Sequence, residues 1–404
     1  MIKTDIMRPN ILIVGAGITG ATVAAGLRKK GYSVVQLEAS SESLDPARGD
    51  HLGPRVVETL QEWDILNAFM EAGAEKRLGA RWYDCNGKLI MHAVTEDLPI
   101  PHKYYIVLNH DLIATTALNL ALNEANYQYT LFRPMAARNI EKNQSLGGGV
   151  KQISIKGSDD RIIKIIPDMT IACDGRSSRI RKSCDFTIKK SYDYEKLFVV
   201  LFGPRGELQD TRNEVINYAS EKGGVSRIPR ANGQWKLGLS IDKSEVAYWK
   251  QSSQNERKKL LAERAPILSN METEVAGFYP VIRRETDHWV SGTTVLLGDA
   301  CHTIHPCRGQ GMNFGIRCAQ KLFNFLPKPN KMNCEHTVQN ALLEYERQIK
   351  PHVDQQLEAN HAIGLEMDLS KPQEDKNNLL KKIAADKDSL FKYRMTMAGY
   401  ADHL

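Results

Sequence analysis

The stretch Ile11-Leu12-Ile13-Val14-Gly15-Ala16-Gly17-Ile18-Thr19-Gly20 decides how this chain is read. Four aliphatic residues form a compact strand, and a glycine-spaced loop follows at once. Ala21 to Lys30 then reads as a helix stopped by Gly31. Ser33 to Leu37 reads as a second strand, ending at Glu38. Strand, loop, helix, strand and terminal acid at this spacing make a βαβ unit that binds a dinucleotide. Gly15 permits the tight turn, Gly17 lets a pyrophosphate approach the backbone, and Gly20 lets the helix pack against the strand. With Ala16, Ile18 and Thr19 they form a loop whose free amides sit at the positive end of the helix. Glu38 can accept hydrogen bonds from an adenosine ribose, and its charge repels a 2′-phosphate. The unit therefore favours FAD or NAD over NADP.

Two further motifs lie outward from this unit. The first is Asp168-Met169-Thr170-Ile171-Ala172-Cys173-Asp174-Gly175-Arg176-Ser177-Ser178-Arg179-Ile180-Arg181, a strand ending in Asp-Gly with Ser and Arg behind it. The second is Gly298-Asp299-Ala300-Cys301-His302, then Pro306 and Gly309-Gln310-Gly311-Met312-Asn313. A reduced flavin carries negative charge on its pyrimidine edge. A helix start at Gly311, Met312 and Asn313 places backbone amides against such an edge. Glycines at 309 and 311 remove side chains that would block the ring, and Pro306 fixes the approach of the chain.

With these three ordered motifs the chain resembles the aromatic-hydroxylase (para-hydroxybenzoate hydroxylase-like) family of single-component flavoprotein monooxygenases, over most of residues 9–350. The resemblance implies FAD as cofactor, with Asp299 on its ribityl chain. It implies that Asp174 and Gly175 affect both FAD and the nicotinamide cofactor. Arg48, about ten residues past Glu38, falls where the family has an FAD-contacting arginine. Asn109, three residues before Leu112, stands where the family often has a cofactor-contacting Arg or Gln. The chain departs from the family at Ala300-Cys301-His302, commonly Ala-Ala-His, and near Cys318, where an acid is usual. The reaction implied is reduction of FAD by transiently bound NADPH or NADH. A flavin hydroperoxide then hydroxylates an electron-rich aromatic or enolic small molecule with oxygen. No catalytic residue is singled out. Two competing readings are an FAD-dependent dehydrogenase or reductase, for example on an isoprenoid lipid, and a non-catalytic flavoprotein. Oxygen consumption with product hydroxylation separates the first, and NAD(P)H-driven flavin reduction the second. The Trp-x-Trp-x-Ile-Pro signature of flavin halogenases is absent.

Bulk properties agree with this picture. The 404 residues allow two or three structural units. The composition, 42% hydrophobic and 25% charged, is that of a globular protein, and the scattered +6 charge leaves no nucleic-acid footprint. No apolar run spans a bilayer, and polar Met1 to Asn10 runs straight into the first strand, so the expected location is cytoplasmic. Seven scattered cysteines fit reduced thiols. Cys301, His302, His305 and Cys307 match no zinc module, and no metal is expected.

The fold expected is α/β. A discontinuous Rossmann-like, glutathione-reductase-like FAD-binding domain takes residues 1–75, 101–181 and 281–330. A mixed β-sheet substrate domain takes 76–100 and 182–280, with Val225 to Ile228 and Trp235 to Ile241 paired through a turn at Asn232-Gly233. A C-terminal helical segment, 331–404, packs on the outside. Tyr279, Arg283 and Arg284 read either as anion binders or as a solvated charged strand. Tyr83, Tyr192, Tyr218, Trp235 and Phe278 read either as pocket or as core.

Overall fold

The computed structural model describes residues 4–42, 45, 47–156, 161–204, 213–230, 233–368 and 373–400. Strand Ile11–Val14 is buried at every position, the pattern of a central parallel strand. It pairs in parallel with Val34–Leu37 on one side and Met169–Ala172 on the other. Tyr129–Phe132 and Thr294–Leu296 extend the two flanks in parallel, and Val290–Ser291 closes one edge antiparallel. Helix Ile18–Leu27 follows the glycine loop, three residues earlier than the sequence pattern suggested, and is buried along nearly its whole length. Gly15 has φ +98°, and a Cβ there would lie 2.4 Å from the Cys173 carbonyl oxygen. A Cβ on Gly20 would lie 2.1 Å from the Gly15 carbonyl oxygen. Both distances are far inside van der Waals contact, so these two glycines set the close approach of strand, loop and helix.

A second sheet has eight strands. Their order is His302–Thr303, Glu274–Thr286, Ile188–Pro204, Gln234–Asp242, Val225–Pro229, Val215–Tyr218, Gly79–Tyr83 and Leu89–Val94. Neighbours are antiparallel except Val215–Tyr218 with Gly79–Tyr83, which makes the sheet mixed. The hairpin of Val225–Pro229 with Gln234–Asp242 forms as expected; Asn232, in its turn, lies outside the described residues. This sheet has its own core around Trp235, Leu237, Leu239 and Trp249. Trp235 is therefore core, Phe278 packs against it, and Tyr192 is exposed. One edge strand, His302–Thr303, belongs to the third sequence motif and pairs with Arg284 and Glu285. The motif thus ties the two sheets together.

The long helix Glu335–Asp368 buries Val338, Leu342, Tyr345, Ile349, Val353, Leu357, Asn360 and Gly364, a stripe at three- and four-residue spacing. Helices Gln373–Ala385 and Lys387–Ala398 follow. They do not simply pack outside, as the sequence suggested. Gln373–Ala385 lies against strand Leu89–Val94, and Leu379, Leu380, Ile383 and Tyr393 reach a large internal cavity. The physical reason is that apolar residues at helical spacing need a surface to cover, and the open face of the second sheet supplies one. Among the described residues no helix is long and apolar enough to cross a membrane.

Candidate active site

One cavity of about 1100 Å³ runs from the glycine loop to the second sheet and the C-terminal helices. At the loop end it is lined by Ala16, Gly17, Ile18 and Thr19, and by Glu38. Glu38 Oε2 accepts from the Ala16 amide at 2.6 Å, and Oε1 accepts from the Ser40 amide at 2.7 Å. The carboxylate thus braces the loop and the turn after its own strand, with lone pairs left over for hydroxyls. Gly15 and Gly20 sit behind this wall and shape it.

Farther along lie Arg48, Gly175, Asp299, Pro306, Gly309, Gly311 and Met312. A Cβ added at Gly17, Gly175, Gly309 or Gly311 would meet no atom within 4 Å, so backbone is open to the cavity at all four. The Asp299 carboxyl makes no hydrogen bond or ion pair within the protein among the described residues. Burial pushes its pKa up, and Arg48 and Arg176 act in the opposite sense. An enclosed acceptor without a protein partner, next to bare backbone, fits the polyhydroxyl chain and pyrophosphate of FAD.

Three residues singled out from the motifs do not reach the wall. Asn109 precedes helix His110–Asn123 without capping it, and its buried Oδ1 has no partner. The next residue, His110, lines the cavity instead. Asp174 Oδ2 accepts from the amides of Arg179 at 2.6 Å and Ile180 at 3.1 Å, which anchors the start of the next helix. Asn313 Oδ1 accepts from the Gly53 amide at 2.7 Å, while its Nδ2 donates to the carbonyls of His51 and Gly309 at 3.1 and 3.0 Å. It clamps two loops together. The arginines before the last strand also turn away. Arg283 is buried and paired with Glu285 and Glu358, and Arg284 reaches the Arg176 carbonyl at 3.4 Å. Tyr279 does line the cavity, donating to Asp45 Oδ2 at 2.6 Å, and Tyr218 lines it too.

A buried charge cluster went unseen in the sequence. Lys236 Nζ lies 2.6 Å from Asp50 Oδ2, and Arg230 Nε lies 3.5 Å from the same oxygen. Asp50 Oδ1 accepts from the His110 amide at 3.0 Å, and Lys236 also donates to the Arg48 carbonyl. Burial raises the pKa of Asp50 and lowers that of Lys236, and each partner works against the other's shift. The 2.6 Å contact is what opposes both shifts. The cluster joins the Arg48 loop to the second sheet. Isolated charges at 50, 230 and 236 give no pattern that a sequence reading could use.

The long helix holds the third motif from behind. Asn360 Oδ1 accepts from the His305 amide at 3.0 Å, and its Nδ2 donates to the His305 carbonyl at 3.1 Å. The His305 ring fills the space that a Cβ on Gly364 would need, at 2.7 Å. Burial pushes the neighbouring Cys307 thiol up to about 12, so it stays protonated at neutral pH. Asn360→Ala strands a buried N–H and C=O beside Pro306. The expected loss is about 1–3 kcal/mol in urea unfolding; an unchanged midpoint would refute the clamp.

A family model described as an FAD binding domain matches residues 8–360. The chain belongs to this FAD-binding family. Its cofactor is FAD. This FAD-binding protein is 25% identical over 356 residues to the ubiquinone hydroxylase UbiL of Rhodospirillum rubrum, which covers 85% of this chain and 78% of the relative. It is 24% identical over 326 residues to the 3-demethoxyubiquinol 3-hydroxylase of Escherichia coli, covering 78% of this chain and 79% of the relative. The p-nitrophenol 4-monooxygenase PnpA of Pseudomonas putida has the same fold. It superposes with a TM-score of 0.79 at 16% identity, over 98% of this chain and 99% of the other.

Proposed function

We propose that this chain hydroxylates an electron-rich aromatic or enolic small molecule, with oxygen as co-substrate and NADH or NADPH as transient electron donor. The observation that carries this reading is one cavity of about 1100 Å³. It joins the glycine loop and Asp299 to a chamber walled by the second sheet and the C-terminal helices. Cofactor and substrate can therefore meet in one space. That both relatives are named as hydroxylases supports the same reading.

In this reading Glu38 takes the adenosine ribose and the Gly15 to Gly20 loop the pyrophosphate. Asp299 takes the ribityl hydroxyls, with Arg48 and Gly175 alongside. Pro306, Gly309, Gly311 and Met312 border the ring, and Asn313 acts by fixing their loop. Asp174 sets the turn at Gly175 from behind the wall, and Asn109 precedes His110, which lines the cavity. Bound FAD supplies hydride acceptance and oxygen activation. The chain supplies position and dryness: Phe198, Val200, Ile228, Leu380 and Ile383 present apolar surface to the chamber and limit water. Residues 1–75, 101–181 and 281–330 form the cofactor unit in this assignment, and the second sheet with the C-terminal helices forms the substrate unit. The seven free cysteines support a cytoplasmic location.

The test uses isotopically labelled oxygen gas with a substrate that accelerates NAD(P)H oxidation. Label in the product is expected. A substrate oxidised without label would make the chain a dehydrogenase.

A further inference from the structure

We propose that helices Gln373–Ala385 and Lys387–Ala398 form a movable lid over the chamber, latched by Arg394 to Asp97 and by Tyr400 to Glu58, and that this lid opens to admit the substrate. The proposal rests on the reading of the chamber as the substrate's place.

The two helices belong to the wall but scarcely to the core. The preceding helix, Glu335–Asp368, buries a stripe along most of its length. Among the described residues no apolar side chain of Gln373–Ala385 joins a core cluster. Leu380 and Ile383 line the cavity instead, and Leu379 lines it while 51% exposed, which puts Leu379 at the rim. In Lys387–Ala398 the buried residue is Ala398, in a small cluster with Leu98 and Ile100 that is separate from the main core. The pair of helices rests chiefly on Leu89–Val94, the edge strand of the second sheet. Segments with few buried apolar contacts open locally at low cost, and lids are drawn from them.

Two fasteners hold the outer part of this lid. Arg394 Nε donates to the Val94 carbonyl at 2.5 Å, and the same guanidinium pairs with Asp97, just past the edge strand. The Tyr400 hydroxyl donates to Glu58 Oε2 at 2.7 Å. Arg55 lies 2.5 Å from that oxygen and sits over the Tyr400 ring, 5.6 Å from its centroid. The first fastener is on the second sheet. The second is on helix Pro54–Glu62, beside the cofactor loop, so the lid bridges the two sides of the cavity. Its last turn lies over Gly53, where a Cβ would be 3.7 Å from the Met397 carbonyl oxygen and 3.8 Å from that of Ala398. The Gly53 amide donates to Asn313, so the closed lid rests on the clamp of the third motif. Tyr393 seats it further, edge-on to Trp82 with centroids 5.7 Å apart. Asp97 is exposed, and exposed ion pairs and single hydrogen bonds are individually weak. Weak fasteners at one end and a covalent tether to helix Glu335–Asp368 at the other make a flap that swings without unfolding the body.

The test is thiol modification of the FAD-loaded protein by N-ethylmaleimide, read site by site by mass spectrometry. Leu380→Cys puts a thiol on the cavity side of the lid, and Lys381→Cys puts one on its exposed side. Asp97→Asn and Tyr400→Phe, made separately and together in each background, release the fasteners. Modification at position 380 should quicken about threefold or more with either release and about tenfold or more with both. The rates at position 381 and at the buried native Cys318 should stay as they were. An unchanged rate at position 380 overturns the proposal. So does a rise there that Cys318 matches, since that is unfolding of the whole body. If Leu380→Cys does not fold, Ile383→Cys replaces it with the same expected rates. The measurement needs no turnover. Fastener-dependent modification in a protein that puts no labelled oxygen into product would sink only the monooxygenase reading. Labelled product with fastener-independent modification would sink the lid alone.

Discussion

Asp50→Ala is expected to lower the unfolding free energy by about 3–5 kcal/mol at pH 7, because it takes the counter-charge from the buried Lys236. Lys236 and Arg230 both point at Asp50 Oδ2, and all three residues are buried. The pH dependence has a definite sign. Burial already holds the Lys236 pKa below its ordinary value, and removal of Asp50 removes the main opposing influence. In the variant the folded lysine then titrates below the unfolded one. Between those two values the unfolded state binds more protons, so stability rises with pH. Part of the deficit should return as pH climbs from neutral toward the ordinary lysine range, when Lys236 sheds its proton. Urea unfolding of the FAD-loaded protein at pH 7 and pH 9 measures this. A deficit below about 1 kcal/mol at pH 7 would show that the cluster is not an ionised pair.

Asp299→Ala should raise the FAD dissociation constant at least tenfold, since a charge-assisted hydrogen bond to a hydroxyl contributes roughly 1.5–3 kcal/mol. The fold should survive, because the carboxyl bonds to no described protein group and burial disfavours its charge. Flavin fluorescence titration of the apoprotein reads the affinity, and circular dichroism checks the fold. An equal dissociation constant in an intact variant would remove Asp299 from the cofactor site.

The two predictions draw on sites of different legibility. Asp299 could be found in the sequence because its motif couples a buried strand to a glycine-bordered helix start, a local pattern. The βαβ unit was legible for a similar reason: Gly20 abuts Gly15, five residues away, although Gly15 itself abuts the distant Cys173 carbonyl. Asp50, Arg230 and Lys236 were not legible, because their pairing depends on how one sheet is laid against the loop after another. Motif position also failed to say where side chains point. Asn313 and Asp174 stand in the motifs, yet their visible bonds hold backbone. Arg283 read either as an anion binder or as part of a solvated charged strand, and it is neither, since it is buried with Glu285 and Glu358 closed around it. The C-terminal helices carried a usable signal, the apolar group Leu379, Leu380 and Ile383. The sequence did not disclose that the surface they cover is a chamber wall.

The strand order of the first sheet has a consequence for synthesis. Ile11–Val14 leaves the ribosome well before its neighbour Met169–Ala172, and Thr294–Leu296 later still. During that interval a wholly apolar strand has an open hydrogen-bonding edge, the kind of surface on which nascent chains aggregate or recruit chaperones. The cavity wall is not complete until Asp299 and Gly311 have emerged, and their loop is not pinned until Asn360 arrives from the long helix. Cofactor capture is therefore a late event in the life of the nascent polypeptide. A cell short of FAD would accumulate chains that are fully translated but not yet closed around their cofactor.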